Sequence, residues 1–193
     1  MPLLISPVLP AGTFARIAQP TLSTGDGLLL RPWTPKDAPV VHEVFQDPVM
    51  HQWHARAAES EAEAAGWIEE WRAAWAEDRE AQWAVADADT GRPVGRVALR
   101  EVRFADGVAE VAYWTAPAAR GLGVASRATA ALVHWAFEVT GFHRLELLHS
   151  VRNEASCRVA TRSGFAVEGT KRGSGLHADG WHDMHLHARL RGD

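Results

Sequence analysis

The chain has 193 residues, of which 47% are apolar and 23% are charged, and its formal net charge at pH 7 is −4. This composition is typical of one globular domain and excludes a disordered or fibrous chain. The negative balance argues against broad binding to nucleic acid or to an anionic membrane, and no stretch approaches the ~18 uninterrupted apolar residues of a membrane helix. Cys157 is the single cysteine, so no intrachain disulfide can form, and we expect a cytoplasmic protein.

The first twenty residues lack the positively charged start of a signal peptide, and Pro7 and Pro10 interrupt their apolar run. We expect residues 1–20 to form an extended N-terminal arm, which could lie on a neighbouring subunit of a homodimer. No linker divides residues 21–193, so they are expected to form a single domain.

The hydrophobic pattern alternates between the strand period and the helix period along the chain. It predicts strands over residues 27–33, 82–87, 94–104, 108–115, 143–150, 165–171 and 182–190. It predicts helices over residues 36–46, 60–79, 125–140 and 154–163, the second with a capping box formed by Ser60 and Glu63. A glycine-rich loop is expected over residues 173–180. This order predicts an α/β (α+β) fold whose mixed central sheet combines an antiparallel meander, a parallel strand pair around a crossover helix, and an antiparallel end.

The segment from Trp114 to Ala125 joins a predicted strand to the start of a predicted helix and contains Gly121 and Gly123. Two glycines let the backbone bend so that successive N–H groups face one point, and the helix dipole adds positive potential there. The segment is therefore a predicted anion site, and a pyrophosphate is a natural ligand. A P-loop is disfavoured because no Gly-Lys-Ser/Thr follows, and a dinucleotide fingerprint is disfavoured because Ser126 stands at its third glycine.

Two blocks of this sequence resemble the GNAT superfamily of N-acetyltransferases. Arg120-x-x-Gly123-x-Ala125, placed after a meander strand, is similar to the (Gln/Arg)-x-x-Gly-x-(Gly/Ala) coenzyme A loop of that family. Residues 153–165 and 168–169 resemble the Asn-x-x-Ser-x-Arg-Val-x-x-(Lys/Arg)-x-Gly-Phe…Glu-Gly signature of the branch that acetylates ribosomal-protein N-termini. The resemblance extends over residues 22–190. It implies the GNAT fold, an acyl-CoA N-acyltransferase domain over residues 21–193, and acetyl-CoA as the cosubstrate.

The resemblance also implies a role for each matched residue. The loop would bind the pyrophosphate of coenzyme A through the backbone and through one guanidinium group; its residues are Arg120, Gly121, Leu122, Gly123, Val124 and Ala125. The strand end at Trp114 and Thr115 would hydrogen-bond the pantetheine arm like an added strand, and Asn153 would contact it too. Ser156 would lie near the sulfur and protonate the departing thiolate, with helix capping or packing as the alternative role.

The acid position departs from the family pattern. Many relatives carry a tyrosine acid where this chain has Ala160, and the only tyrosine here, Tyr113, lies on a meander strand. A tyrosine acid from the helix is thus excluded, and the role falls to Ser156 or, less favoured, to Cys157.

The base position departs as well. Residues 170–177 contain no carboxylate, although the ribosomal-protein branch places a glutamate base in this loop. Glu110, His177 and Asp183 are candidates to replace it, and Glu110 is taken forward as a catalytic residue with Ser156. An α-amine titrates near ~7.7–8.0 and a lysine amine near ~10.4, so a site without a strong base suits an α-amine.

Several aromatic and histidine clusters have simpler explanations. His182, His185 and His187 suggest a metal site, but strand alternation places the first on the opposite face from the other two, and we expect no metal. A helical stripe of tryptophans is expected in the core or on a dimer surface; its members are Trp67, Trp71 and Trp75. Trp53 and His54 are candidates for contact with the acceptor.

The sequence therefore predicts an acetyl-CoA-dependent N-acetyltransferase that moves an acetyl group directly to a primary amine within a ternary complex. The favoured acceptor is a peptide or protein N-terminal α-amine, and a small-molecule amine is the second option. Two competing hypotheses are a non-catalytic module that binds coenzyme A and a nucleotide-binding oxidoreductase. No nucleic acid, membrane or metal is expected as a partner.

Overall fold

A computed structural model describes residues 4–193, and within them eight strands form one mixed sheet. The strands are β1 (Leu22–Ser23), β2 (Leu28–Pro32), β3 (Ala81–Asp87), β4 (Pro93–Arg103), β5 (Val108–Thr115), β6 (Arg144–Ser150), β7 (Ala166–His177) and β8 (Gly180–Leu190). The helices are α1 (Ala38–Val44), α2 (Pro48–Trp53), α3 (Glu61–Ala76), α4 (Val124–His134) and α5 (Glu154–Arg162). The strand order is β1-β2-β3-β4-β5-β6-β8-β7. The predicted α/β class with a mixed sheet is confirmed.

Strands β3 to β5 form the predicted antiparallel meander, and β2 extends it by pairing antiparallel with β3. Glycines with left-handed backbone close its two tight turns, Gly91 at φ 71° and Gly107 at φ 64°. Strand β6 then returns parallel to β5 after the crossover through α4, and β6, β8 and β7 pair antiparallel. The parallel pair and the antiparallel end both follow the prediction.

Strands β5 and β6 separate soon after they meet. Only three residues of β5 pair with β6, ending at Glu110 opposite Glu146. Beyond that point residues 111–115 of β5 keep their pairing with β4, and residues 147–150 of β6 keep theirs with β8. A V-shaped opening therefore lies inside the sheet, and one edge of β5 is left without a strand partner among the described residues.

The helices begin and end at residues whose chemistry explains the boundaries. Ser60 accepts a hydrogen bond from the Glu63 N–H at the start of α3, whereas the Glu63 carboxylate bonds to the Glu59 N–H instead of completing the predicted box. Helix α4 continues as a π-helical turn over Trp135–Thr140 and ends at Gly141 with φ 89°. Helix α2, capped by Asp47, was not predicted because six residues give too short a periodic pattern.

Two apolar clusters cover the two faces of the sheet. The larger one lies under α4 and includes Leu99, Val111 and Leu132; the second joins α1 and α3 to the other face and includes Trp33 and Trp114. Alternation along β5 explains this, since Val111 and Trp114 point to opposite faces. The tryptophan stripe of α3 is core: Trp67 and Trp75 are buried and Trp71 packs partly buried on Trp33.

The N-terminal segment differs from the extended arm that the sequence predicted. Residues 1–3 of that arm lie outside the described residues. Leu9 and Phe14 are buried in the larger cluster, and the Phe14 ring stacks on Trp75 with centroids 4.9 Å apart. The Asp78 carboxylate accepts from the N–H groups of Gly12 and Phe14. The segment thus packs on the chain's own core, where the Phe14 ring also contacts the rings of Phe104 and Trp135.

The glycine-rich segment over residues 173–180 was wrongly predicted as a loop. Strand β7 runs through it to His177 and pairs with β8, with a register shift between Lys171 and Gly175. Gly175 allows this because an added Cβ would lie 2.5 Å from the Met184 sulfur. The turn is confined to the short step before Gly180, whose φ is 113°.

No helix in the described part of the chain is both long and apolar enough to cross a membrane.

The buried carboxylate of Asp37 makes stability depend on pH. It accepts hydrogen bonds from the two terminal guanidinium nitrogens of Arg31, each at 2.8 Å, and from the Thr34 N–H at 2.9 Å. Burial alone would raise the pKa of Asp37, but Arg31 and Thr34 more than offset it, and the pKa lies below its usual value. A lowered folded-state pKa means that the stabilisation is present above ~3.9, the unfolded value, and is lost as pH falls through the folded-state pKa.

We therefore expect Asp37→Asn to lower the free energy of unfolding at pH 7 by about 2–4 kcal/mol, since Arg31 loses its partner. The difference from wild type should shrink as pH falls below 4, where the wild-type carboxylate becomes protonated. Urea unfolding of both proteins at a series of pH values measures this. A difference that stays constant with pH would contradict the assignment.

Candidate active site

The opening between β5 and β6 is the mouth of a cavity of about 680 Å³. Both separated strand ends line it, together with the first turns of α4 and α5. An unpaired strand edge can bind an extended ligand as if it were another strand. The fold thus provides a groove that crosses the sheet, with an anion-binding helix start on one side.

The loop before α4 has the geometry that its glycines predicted. Gly121 and Gly123 have φ of 78° and 74°, and an added Cβ at either would meet no atom within 4 Å. The glycines are thus required by backbone conformation and not by packing. Among residues 4–193, the N–H groups of residues 121–126 donate to no backbone or side-chain oxygen, and the first bond of this helix start runs from the Arg127 N–H to the Gly123 carbonyl. Free N–H groups at a helix N-terminus form an anion site.

Most of the predicted binding residues line this cavity. They are Trp114, Thr115, Arg120, Gly121, Gly123, Val124, Ala125, Asn153 and Ser156. Leu122 is the exception, since its side chain is 67% exposed and does not line the cavity. Trp114 contributes backbone only, because its ring is buried in the cluster beneath α1 and α3.

Two arginines brace the loop. Arg120 forms an ion pair with Asp47, the N-cap of α2, with the two atoms 2.5 Å apart. Arg127 reaches back to the Leu122 carbonyl at 3.3 Å and to the Asp26 carbonyl at 3.1 Å. The sequence alone assigns Arg120 to the ligand and does not reveal Asp47 or Arg127, because their contacts join segments that are distant in sequence.

Ser156 and Tyr113 meet across the opening. The Tyr113 Oη atom lies 2.8 Å from the Ser156 Oγ atom and 3.2 Å from the Ser156 carbonyl oxygen. Burial raises the pKa of Tyr113 to about 12, so the phenol keeps its proton at neutral pH. Asn153 caps α5 by accepting from the Ser156 N–H at 3.0 Å. The side chain of Ser156 therefore takes no part in capping α5. It is hydrogen-bonded to Tyr113, the one tyrosine of the chain.

Glu110 lies at the point where β5 and β6 separate, with its side chain 13% exposed. Arg100 donates to its carboxylate from Nε at 3.0 Å and from Nη2 at 2.6 Å. Arg96 lies on the same face of β4, stacks on Trp71 at 5.1 Å, and donates to Gln82. Burial, helped by Arg100, lowers the pKa of Arg96 to about 10, so it stays charged at neutral pH.

The predicted acceptor contacts Trp53 and His54 line the cavity, as does the base candidate His177. The Trp53 and His177 rings meet edge to face, with their centroids 5.9 Å apart. Burial, with Arg96 and Arg100 nearby, lowers the pKa of His54 to about 4, which makes it neutral at pH 7. Asp183 is not among the lining residues; it holds the Gly173 N–H at 2.7 Å. Of the three base candidates, Glu110 and His177 therefore reach the cavity.

Comparisons with known proteins point to one family. The sequence model described as the acetyltransferase (GNAT) domain matches residues 27–166. The N-acetyltransferase YoaA of Bacillus subtilis (strain 168) is 29% identical over 154 residues, which is 79% of this chain and 86% of that protein. The ribosomal-protein-serine acetyltransferase of Escherichia coli (strain K12) is 29% identical over 97 residues, covering 50% of this chain and 54% of that protein. A solved structure of RimL, a ribosomal L7/L12 α-N-protein acetyltransferase in complex with coenzyme A, superposes with a TM-score of 0.81 at 19% identity, covering 89% of this chain and 98% of that one.

Proposed function

Because the chain belongs to the acetyltransferase (GNAT) domain family, we propose that it transfers the acetyl group of acetyl-CoA directly to a primary amine, and that the α-amine of a protein N-terminus is the preferred acceptor. A small-molecule amine is the second candidate. The observation that carries the proposal is the opening between β5 and β6, where an unpaired strand edge, a free helix N-terminus and a half-buried hydroxyl pair line one cavity.

The proposed binding of coenzyme A follows from these groups. The pyrophosphate accepts hydrogen bonds from the free N–H groups that follow Gly121, and Arg158 and Arg162, which line the cavity on α5, add positive charge. The pantetheine arm lies along the open edge of residues 111–115, where its amides replace the missing strand. Asn153 lines the same cavity and holds the first turn of α5 in place through its bond to the Ser156 N–H.

The proposed reaction needs a neutral amine, a polarised carbonyl and a proton for sulfur. The amine nitrogen attacks the thioester carbon, the carbonyl oxygen takes the negative charge beside a backbone N–H of β5, and the C–S bond then breaks. Ser156 donates its hydroxyl proton to the thiolate while Tyr113 passes its phenolic proton to the Ser156 oxygen. The phenolate of Tyr113 then regains a proton from solvent. The amine's surplus proton leaves through water to the Glu110 carboxylate.

The charges around the acceptor end favour a weakly basic amine. Arg96 and Arg100 both line the cavity, and a nearby positive charge lowers the pKa of an ammonium group. An α-amine needs only about 1 kcal/mol for deprotonation at pH 7, whereas a lysine amine needs roughly 4–5 kcal/mol. The α-amine therefore suits a site whose carboxylate is already bound to Arg100.

The test uses acetyl-CoA with three peptides that differ only at the N-terminus and at one position: one with a free N-terminus and no lysine, one with a blocked N-terminus and one lysine, and one with neither amine. Release of CoA thiol and the peptide mass are followed. We expect turnover with the first peptide and little with the other two. If only small amines are acetylated, the acceptor is a small-molecule amine and not a protein N-terminus. Tight binding of acetyl-CoA with no turnover across a broad panel would favour a non-catalytic module.

Replacing Glu110 by glutamine tests the proposed proton acceptor. We expect kcat to fall by about 10–100-fold at pH 7, with a smaller loss at pH 9, where more of the amine is already neutral. The matched variant is His177→Asn, which removes the other candidate lining the cavity and should leave kcat within about threefold of wild type. Steady-state rates at both pH values decide between them, and the opposite ranking would assign the role to His177.

We propose a cytoplasmic location, which the free thiol of Cys157 supports. A homodimer is also proposed, and light scattering of the purified protein measures its mass.

A further inference from the structure

A second cluster of reactive side chains lies behind the first turn of α5. We call it the histidine–cysteine cluster; its members are His149 on β6, Cys157 on α5, and His185 and His187 on β8. Each member offers one nitrogen or sulfur atom, and these four atoms all lie within 4.8 Å of one another. The sequence analysis had grouped the C-terminal histidines by strand alone, whereas the sheet pairs His185 with His149 and the helix adds the thiol.

The hydrogen bonds of the cluster place two imidazole nitrogens face to face. His149 Nδ1 lies 2.8 Å from the Ser150 carbonyl, which can only accept, so the hydrogen of His149 is on Nδ1 and its Nε2 atom is a bare lone pair. The Nε2 atom of His187 lies 3.0 Å from that lone pair, and His187 Nδ1 lies 3.5 Å from the Phe165 carbonyl. The two Nε2 atoms either share a hydrogen bond from the Nε2–H tautomer of His187 or both direct a lone pair at one metal ion.

The third imidazole of the cluster favours the metal ion. His185 Nδ1 is buried and has no hydrogen-bond partner among the described residues. A cation that accepts lone pairs would satisfy all three imidazoles at once.

We propose that the histidine–cysteine cluster is a structural binding site for one tetrahedral transition-metal ion, with Zn²⁺ as the best-matched ion. Three imidazole nitrogens and one thiolate supply four ligands of the nitrogen and sulfur types that bind Zn²⁺, which is enough for a tetrahedral site with no open position. Nitrogens about 2.0–2.1 Å from a tetrahedral ion lie about 3.3–3.4 Å apart, close to the present separation of the two Nε2 atoms. The Nδ1–H donors to backbone carbonyls are the outer contacts that orient metal-bound histidines.

The bound ion would connect the active site to the sheet. Cys157 directly follows Ser156, so a bond from its sulfur to an ion held by β6 and β8 would fix the first turn of α5. The residues of β8 alone predict no metal, since His182 lies on the opposite face from His185 and His187. The proposed site instead adds His149 and Cys157 from neighbouring elements.

The test titrates Co²⁺ into tag-free protein that has been treated with a chelator. Binding should saturate at one ion per chain with the visible absorption of a tetrahedral site and a near-ultraviolet thiolate-to-cobalt band. Because the chain has one cysteine, that band can come only from Cys157. Zn²⁺ should displace the cobalt, and Zn²⁺ at about 100 times its Kd should raise the Tm by roughly 5–10 °C.

Variants locate the site. Cys157→Ser should remove the near-ultraviolet band, and His187→Asn should weaken Co²⁺ binding by about 100-fold or more. His134→Asn, at an exposed histidine of α4 outside the cluster, should change neither. No stoichiometric binding by the wild type, or binding unaffected by both cluster variants, would overturn the proposal and leave an N–H···N hydrogen bond between His149 and His187. None of these readouts depends on acetyl transfer, so failure here leaves the proposed function intact.

Discussion

Ser156→Ala is expected to lower kcat by on the order of 100-fold while the Kd for acetyl-CoA changes by less than about threefold. The reason is that Ser156 lines the cavity and is hydrogen-bonded to Tyr113, so it can deliver a proton to the leaving thiolate. Its N–H is held by Asn153 and its side chain caps nothing, so alanine leaves the start of α5 intact. Steady-state kinetics combined with calorimetric titration of acetyl-CoA measures both quantities.

Tyr113→Phe completes this test, since it removes only the phenolic oxygen bonded to Ser156. We expect a loss of about 10-fold in kcat, and the double variant should lose less than the product of the two single losses because the hydroxyls act as one unit. The matched control is Ser163→Ala, at a buried serine that ends the same helix, which should keep wild-type kcat. Unchanged turnover in Ser156→Ala would remove it from the acid role.

Gly123→Asp is expected to weaken acetyl-CoA binding by on the order of 100-fold. The added carboxylate would project into the open space in front of the loop, where the pyrophosphate is proposed to bind, and would repel it. An aspartate at this left-handed position strains the backbone, and the favourable interaction of its negative charge with the dipole of α4 offsets part of that strain. Calorimetric titration of acetyl-CoA measures the loss, and it should diminish at high salt.

Two controls separate charge and backbone strain from local damage. Gly91→Asp imposes the same change at nearly the same backbone angle, φ 71° against 74°, in a turn with no atom near the added Cβ, and it should leave binding unchanged. Gly123→Asn keeps the shape without the charge and should bind better than Gly123→Asp. Equal loss in the aspartate and asparagine variants would point to backbone strain and contradict an anion site.

The anion loop and the sheet order could be predicted because they depend on local chemistry. The spacing of Gly121 and Gly123 determines where the backbone turns left-handed, and the turn residues Gly91 and Gly107 mark the meander. Local chemistry also explains why residues 173–180 were wrongly predicted as a loop. Glycines permit a turn, but Gly175 here permits the close approach of Met184 to a strand. Composition alone does not decide between those outcomes.

The contacts that complete the site could not be predicted, because they join residues far apart in the chain. Tyr113 and Ser156 are 43 positions apart and meet only after β5 and α5 flank the opening. Arg120 and Asp47 come together only through the folding of α2 beside the loop. Periodicity gives the face of a strand on which a side chain lies, but not its partner on a neighbouring element.

A crystal structure of the protein with coenzyme A tests the central claim most directly. We expect the pyrophosphate on the N–H groups of residues 121–126, the pantetheine along the open edge of residues 111–115, and the sulfur within hydrogen-bond distance of the Ser156 hydroxyl. Coenzyme A bound outside the opening between β5 and β6, or a sulfur remote from both Ser156 and Tyr113, would contradict the account.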